Sequence, residues 1–273
     1  MGEQQSGWGG QPVYVVDGSR TPYIKARGKP GPFSASDLAI AAGQPLLARQ
    51  PFAAAELDEV ILGCMMPSPD EANIARVVAL RLGCGERVPA WTVQRNCASG
   101  MQSIDSAAQN IASGRSGLVL AGGVESMSRA PILFNDTMVN WLAALARART
   151  PGAKLKVIGS LRPGHFKPVI ALLRGLTDPT VGLSMGQTAE ILAHRFGITR
   201  EMMDSFAMRS HQRLDYGQQH GHLDEIEVMY ANRGNVYVHD DGVRADCSME
   251  MLANLRPLFD RPVGKVTAGN SVQ

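Results

Sequence analysis

The residue of this sequence best placed to do chemistry is the cysteine in Val93-Gln94-Arg95-Asn96-Cys97-Ala98-Ser99-Gly100. It follows a short apolar run, Ala90 to Val93. It precedes a stretch in which Met101, Ile104, Ala108 and Ile111 recur at helical spacing until Gly114. That order predicts a strand, a tight turn and a helix over 97–113, with Cys97 in the first turn and Asn96 as N-cap. Unpaired N–H groups and the helix dipole favour negative charge at such an end, and so favour a thiolate. Ala98, Ser99 and Gly100 leave room beside the sulfur for a substrate. This is the logic of a nucleophile elbow with sulfur in place of oxygen. Position alone leaves a second reading open, a small, buried and inert thiol.

The other candidates are weaker. Cys64 ends a predicted strand, Cys84 sits between two glycines after a helix, and Cys247 is expected in a loop. The four cysteines form no CxxC pair and no histidines cluster with them, so neither a zinc site nor a disulfide framework is expected. His239-Asp240-Asp241-Gly242 reads as a turn rather than a metal site.

The elements that must position Cys97 are legible in the pattern. Val13 to Val16 reads as a buried strand closed by Asp17-Gly18; a helix over 38–47 and a strand at Val60 to Leu62 follow. A helix at Ile74 to Leu82 stops at Gly83, and strands at 90–93 and 118–121 flank the helix that carries Cys97. Alternation of this kind implies an α/β layered domain over 12–127. Residues 128–262 read as an insertion. Between Thr137 and Thr177 it holds no Asp or Glu, but Arg147, Arg149, Lys154, Lys156, Arg162, Lys167 and Arg174. A segment of one sign faces something anionic or stands in solvent. Its apolar runs, Trp141-Leu142 and Val169 to Leu173, are expected in an ordinary buried helix, the alternatives being a long acyl chain, a membrane surface or a partner subunit. Helices are predicted over 185–196 and 199–219 and a hairpin arm at Val236 to Val238; Lys265 to Asn270, within 263–273, reads as a return strand cut short.

Composition bounds the function. A chain of 273 residues with 44% hydrophobic content can bury a core, and a net charge of +2 with 5% aromatics gives no nucleic-acid footprint. No run approaches the roughly 18 apolar residues of a membrane span. The opening MGEQQSGWGGQ, residues 1–11, lacks the apolar core of a secretory signal and reads as a disordered tail. A soluble cytoplasmic protein is expected, with no membrane partner.

Asn96-Cys97-Ala98-Ser99-Gly100-Met101-Gln102 and Ala121-Gly122-Gly123-Val124-Glu125-Ser126-Met127-Ser128 resemble the N-terminal half of thiolases, the acyl-CoA C-acyltransferases of fatty-acid metabolism. The likeness continues through Gly182 to Glu190, Ser210-His211-Gln212-Arg213, and Leu255-Arg256-Pro257 leading into Val266 to Asn270. It implies a thiolase-like layered α/β fold, N-terminal half only, with an inserted loop domain that binds coenzyme A. It implies acylation of Cys97, whose backbone N–H joins an oxyanion hole. By motif position, Leu176, Ser184, Met185, Arg244, Ala268 and Ser271 would line the coenzyme A and pantetheine site. Coenzyme A and acyl-CoA would be substrates, with no permanently bound cofactor and no metal. The enzyme would cleave 3-oxoacyl-CoA or condense two acyl-CoA molecules as a homodimer or dimer of dimers.

The same resemblance points to groups that these residues do not supply. In the family a C-terminal half brings an activating histidine, a second cysteine as acid/base and an asparagine that positions water; here they would come from a separate chain. Val272 also stands where the family pattern has serine. A non-catalytic fragment or assembly subunit is the alternative reading. A decarboxylating ketosynthase of related fold fits less well, given the Ala121 to Ser128 motif and the long insertion.

Overall fold

The computed structural model describes residues 11–26 and 28–271. Almost all of the expected tail, residues 1–11, lies outside them. The chain forms two compact units, one of residues up to Arg129 together with Glu201–Leu255 and the last residues from Gly269, the other of Ala130–Arg200 with Arg256–Ala268.

The first unit is built on a parallel sheet of β1 (Glu59–Gly63), β2 (Ala90–Val93) and β3 (Val119–Gly123) in the order β2-β1-β3, with Ile61 opposite Trp91 and Ala121. Side chains alternate across a strand. Val60 and Leu62 therefore face one way and join a core with α1 (Ala35–Ala48) and α2 (Ile74–Arg81), in which Ile74, Val78 and Ala79 are buried. The opposite side of β1, with Ile61 and Gly63, receives α3 (Ser99–Ala112). Each helix has a local reason to begin and end. Ser34 and Asp37 cap α1 reciprocally, Asn73 caps α2, and Gly83 and Gly114, at φ 80° and 72°, turn the chain out of α2 and α3.

Glu201–Leu255 packs with this unit and not with the expected insertion. It comprises nearly all of α8 (Arg200–Gln219), the hairpin of β6 (Met229–Tyr230) and β7 (Val236–Tyr237), and α9 (Met249–Ala253). Arg20 ties it down: its guanidinium meets both carboxylate oxygens of buried Asp240 at 2.8 and 3.0 Å and Glu225 at 3.0 Å. Asp240 also accepts from the Tyr23 N–H at 2.7 Å. Burial pushes its carboxyl up, but these donors together hold it below the ordinary aspartate value. The turn around Asp240 is therefore a structural clamp.

Two expected strands are not formed. Val13 to Val16 lies outside any ladder, with Val15 88% exposed, and Lys265 to Asn270 is irregular. A strand needs a neighbour to satisfy its amides, and among the described residues the sheet ends at β2 and β3. In α3 the apolar stripe is also not buried. Ser99, Ser103 and Ala107 face the sheet, while Met101 and Ile104 are 70% and 47% exposed.

The second unit contains β4 (Ile132–Leu133) paired antiparallel with β5 (Val169–Ile170), α4 (Asp136–Arg147), α5 (Pro151–Gly159), α6 (Ala171–Gly175) and α7 (Met185–Arg195). The Trp141 indole N–H donates to the Val157 carbonyl at 2.8 Å and locks α4 on α5. Buried Glu190 of α7 accepts from the backbone N–H groups of Lys265 and Val266 at 2.7–2.9 Å. Phe259 lies so close over Gly186 that a β-carbon there would overlap its ring.

Candidate active site

β2 delivers the chain to Arg95, and the turn that follows is held by Ser99. The Ser99 hydroxyl accepts from the Arg95 N–H at 2.8 Å and donates to the Asn96 carbonyl at 2.6 Å. Asn96 takes φ 49°, the left-handed region that asparagine tolerates better than most residues. The helix begins later than expected: Ala98 is the N-cap, so Cys97 lies just before the first turn and not within it, and Asn96 is not the cap. Cys97 is exposed, and its thiol has no hydrogen-bond partner among the described residues.

Three glycines set the height of this turn. A β-carbon on Gly63, at the end of β1, would overlap the backbone of Ser99, and one on Gly123, at the end of β3, would come within 2.7 Å of the Gly100 α-carbon. The N-terminus of α3 therefore rests directly on two strand ends. The Ser103 hydroxyl lies 2.7 Å from the Gly100 carbonyl and 2.6 Å from that of Gly122. Gly63, Gly123 and Ser103 escape a reading of local pattern because their role exists only where helix meets sheet. A glycine ending each of two apolar strands was the available signal.

The remaining cysteines are buried. Desolvation, and then the neighbouring Glu125 carboxylate, push the Cys64 thiol up to about 12. Burial also raises Cys84 and Cys247. A raised thiol pKa means less thiolate at any pH below it. Iodoacetamide at pH 7–9 is thus expected to label Cys97 first, with Cys64 unreactive until the fold opens. Peptide mass spectrometry showing Cys64 or Cys247 modified ahead of Cys97 would count against the nucleophile.

Of the expected ligand residues, Leu176, Ser184 and Met185 come together in the second unit. The Met185 N–H donates to the Leu176 carbonyl at 2.9 Å, and Thr177 pairs with Ser184. Ser184 caps α7 with Gln187 in a reciprocal box, and Met185 and Leu176 are 45% and 36% exposed. Ala268 is exposed in the same unit. Arg244 and Ser271 belong to the first unit, as Cys97 does. The Arg244 backbone N–H donates to His211 Nδ1 at 3.3 Å, leaving an exposed guanidinium without a salt bridge among the described residues. Burial, with Arg244 and Lys25 nearby, holds His211 below the ordinary histidine value.

The sequence profile described as "Thiolase, N-terminal domain" matches residues 13–273. The chain belongs to the thiolase family. Among curated thiolases, the 3-ketoacyl-CoA thiolases of Yersinia enterocolitica serotype O:8 / biotype 1B and Yersinia pestis (strain Pestoides F) are each 34% identical over 264 residues. That alignment covers 96% of this chain and 60% of either relative, so the chain spans about three fifths of their length. The acetyl-CoA acetyltransferase of Bacillus anthracis superposes with a TM-score of 0.75 at 35% identity, over 93% of this chain and 60% of that one. Human mitochondrial 3-ketoacyl-CoA thiolase gives 0.77 at 33% identity over 94% and 61%. Its complex with CoA gives 0.75 at 32% over 92% and 59%. The fold is that of the N-terminal part of a thiolase.

Proposed function

We propose that this chain is the nucleophile-bearing part of an acyl-CoA C-acyltransferase. The observation that carries the reading is the exposed Cys97 on a turn seated by Gly63, Gly100 and Gly123. Its thiolate attacks the C3 carbonyl of a 3-oxoacyl-CoA; the C2–C3 bond breaks, acetyl-CoA leaves once C2 has taken a proton, and the acyl group remains on sulfur. A second coenzyme A thiolate then attacks the acyl-cysteine, forming the shortened acyl-CoA and freeing Cys97. In the biosynthetic direction the same steps run in reverse. Cys97 has no hydrogen-bonded base among the described residues, which favours action together with the groups of a thiolase C-terminal half, within a homodimer or dimer of dimers. The test is acylation: incubation with acetoacetyl-CoA should leave one acetyl group on the peptide containing Cys97. Acetylation elsewhere, with Cys97 unmodified, would sink the assignment.

Leu176, Ser184, Met185, Ala268, Arg244 and Ser271 are proposed to hold coenzyme A. Leu176 and Met185 offer apolar surface suited to a pantetheine arm, and the exposed Arg244, without a salt bridge among the described residues, suits a phosphate. Arg244→Ala is expected to weaken coenzyme A binding about 5- to 10-fold, the net size of an ordinary hydrogen bond in water. Added salt should weaken the parent chain and leave the variant less affected. Calorimetry finding binding indifferent to both would remove Arg244 from the site.

A further inference from the structure

We infer that a cleft at the end of α8 binds a small ammonium-bearing molecule with a short aliphatic stem. The cleft, of about 320 Å³, lies within the first unit, where Gly217 and Gln218 of the last helical turn meet Leu223, Asp224 and Ile226 of the segment that follows and Val238 and His239 after β7. Two of its residues destabilise the fold without serving it. The Gln218 side-chain oxygen Oε1 is shut off from solvent and has no hydrogen-bond partner among the described residues. A buried acceptor left in that state is unfavourable, and native proteins keep few of them. The second residue is Gly217. Gly221, at φ 66°, is needed to turn the chain out of α8, and the His222 N–H returns to the Gly217 carbonyl at 3.0 Å to close that end. Gly217 is itself helical, and glycine is a poorer helix former than alanine. No steric demand explains it, because a β-carbon there would meet Leu223 at 3.7–3.8 Å, an ordinary contact. What the glycine leaves is open space in front of Leu223, inside the cleft. A ligand accounts for both the unpartnered acceptor and the unfilled space.

Hydrogen bonding and charge select that ligand. In Asp224-Glu225-Ile226-Glu227, Glu225 pairs with Arg20 at 3.0 Å and Glu227 with Arg49 at 2.9 Å, whereas Asp224 has no salt bridge among the described residues. A carboxylate and an amide oxygen both accept, so the ligand must donate. An ammonium group brings three donors and the opposite charge. Leu223, Ile226 and Val238 offer apolar surface to a short aliphatic stem. The site uses neither Cys97 nor any residue proposed to hold coenzyme A, so its failure and that of the acyltransferase reading are separable.

The test is saturation-transfer NMR on the whole chain at pH 8, with n-butylammonium chloride as ligand and sodium n-butyrate as control. Butylammonium is expected to bind with a Kd on the order of 1 mM, and butyrate not to bind. Asp224→Asn and Gln218→Met should each weaken binding at least about 5-fold. Gly217→Ala should lower affinity as well. Yet Gln218→Met and Gly217→Ala should both raise the urea midpoint of the ligand-free chain, whereas residues kept for structure alone would lower it when replaced. A blocked Gly-Lys-Gly peptide that binds more tightly than butylammonium would assign the ammonium to the lysine of a protein, and weaker binding would assign it to a free amine. No binding of butylammonium at about 50 mM, far above such a Kd, would overturn the inference. Equal binding of butyrate, or affinity unchanged in both Asp224→Asn and Gln218→Met, would do the same. So would a Gln218→Met chain less stable than the parent, since Oε1 would then have had a partner.

Discussion

Gly63→Ala is expected to destabilise the first unit by about 3 kcal/mol and to slow alkylation of Cys97 in whatever chain still folds. The added methyl meets backbone on both sides of the contact, Ser99 C and O and the Gly100 N, and no side chain can rotate away. Overpacking against backbone is relieved only by moving an element, and the movable one is the N-terminus of α3. That shift tilts the turn holding Asn96 and Cys97. Gly18→Ala is the control, since a β-carbon there meets nothing within 4 Å. Urea unfolding followed by circular dichroism, with iodoacetamide labelling at pH 8, reads both effects. Equal stability and equal labelling for the two variants would show that the glycine contact does not seat the cysteine.

The second large effect concerns turnover. Thiolytic acyl transfer needs a thiolate, a proton carrier for the incoming and leaving thiols, and donors for two oxyanions. Cys97 can supply the first, yet no described side chain is hydrogen-bonded to it. Want of general acid/base catalysis alone costs about 10²–10⁴-fold in rate. These 273 residues by themselves are therefore expected to turn over acetoacetyl-CoA and coenzyme A negligibly and to scatter light on concentration. Uncovered apolar groups, Val15 at 88%, Tyr14 at 77% and Met101 at 70%, account for the scattering. Co-expression with a matching thiolase C-terminal half should clear the scattering and raise the rate by at least about 100-fold, and Cys97→Ala in that complex should abolish it. A turnover of about 1 s⁻¹ or more from the chain alone, lost in Cys97→Ala, would show that its own residues complete the chemistry.

Where order is local, the sequence announces it. β1, β2 and β3 were legible as apolar runs, and α2, α3 and α7 as periodic stretches ended by Gly83, Gly114 and Gly197, each at positive φ. Where order depends on a distant partner, the same reading fails. Val13 to Val16 has a strand's composition but no neighbour, so it stays extended and exposed. Arg20 reaches Glu225 and Asp240 across more than two hundred residues, and no periodicity could place Glu201–Leu255 with the first unit. In α3 the hydrophobic stripe pointed to the wrong face because small polar residues suit a helix laid directly on strand ends. That Cys97 lies on the turn between a strand and a helix was legible from its neighbours. The later helix start was not, since Asn96 bends the chain by a dihedral angle that its side chain permits without requiring.

That left-handed Asn96 has a consequence for variation. A residue at φ 49° can be asparagine, aspartate or glycine at little cost, while a β-branched residue clashes with its own carbonyl. The permitted alphabet beside Cys97 is thus set by backbone sterics and not by the chemistry proposed for its sulfur. Under the proposed function, changes in substrate preference would be written elsewhere in the chain, in positions whose side chains are free to differ without moving the sulfur.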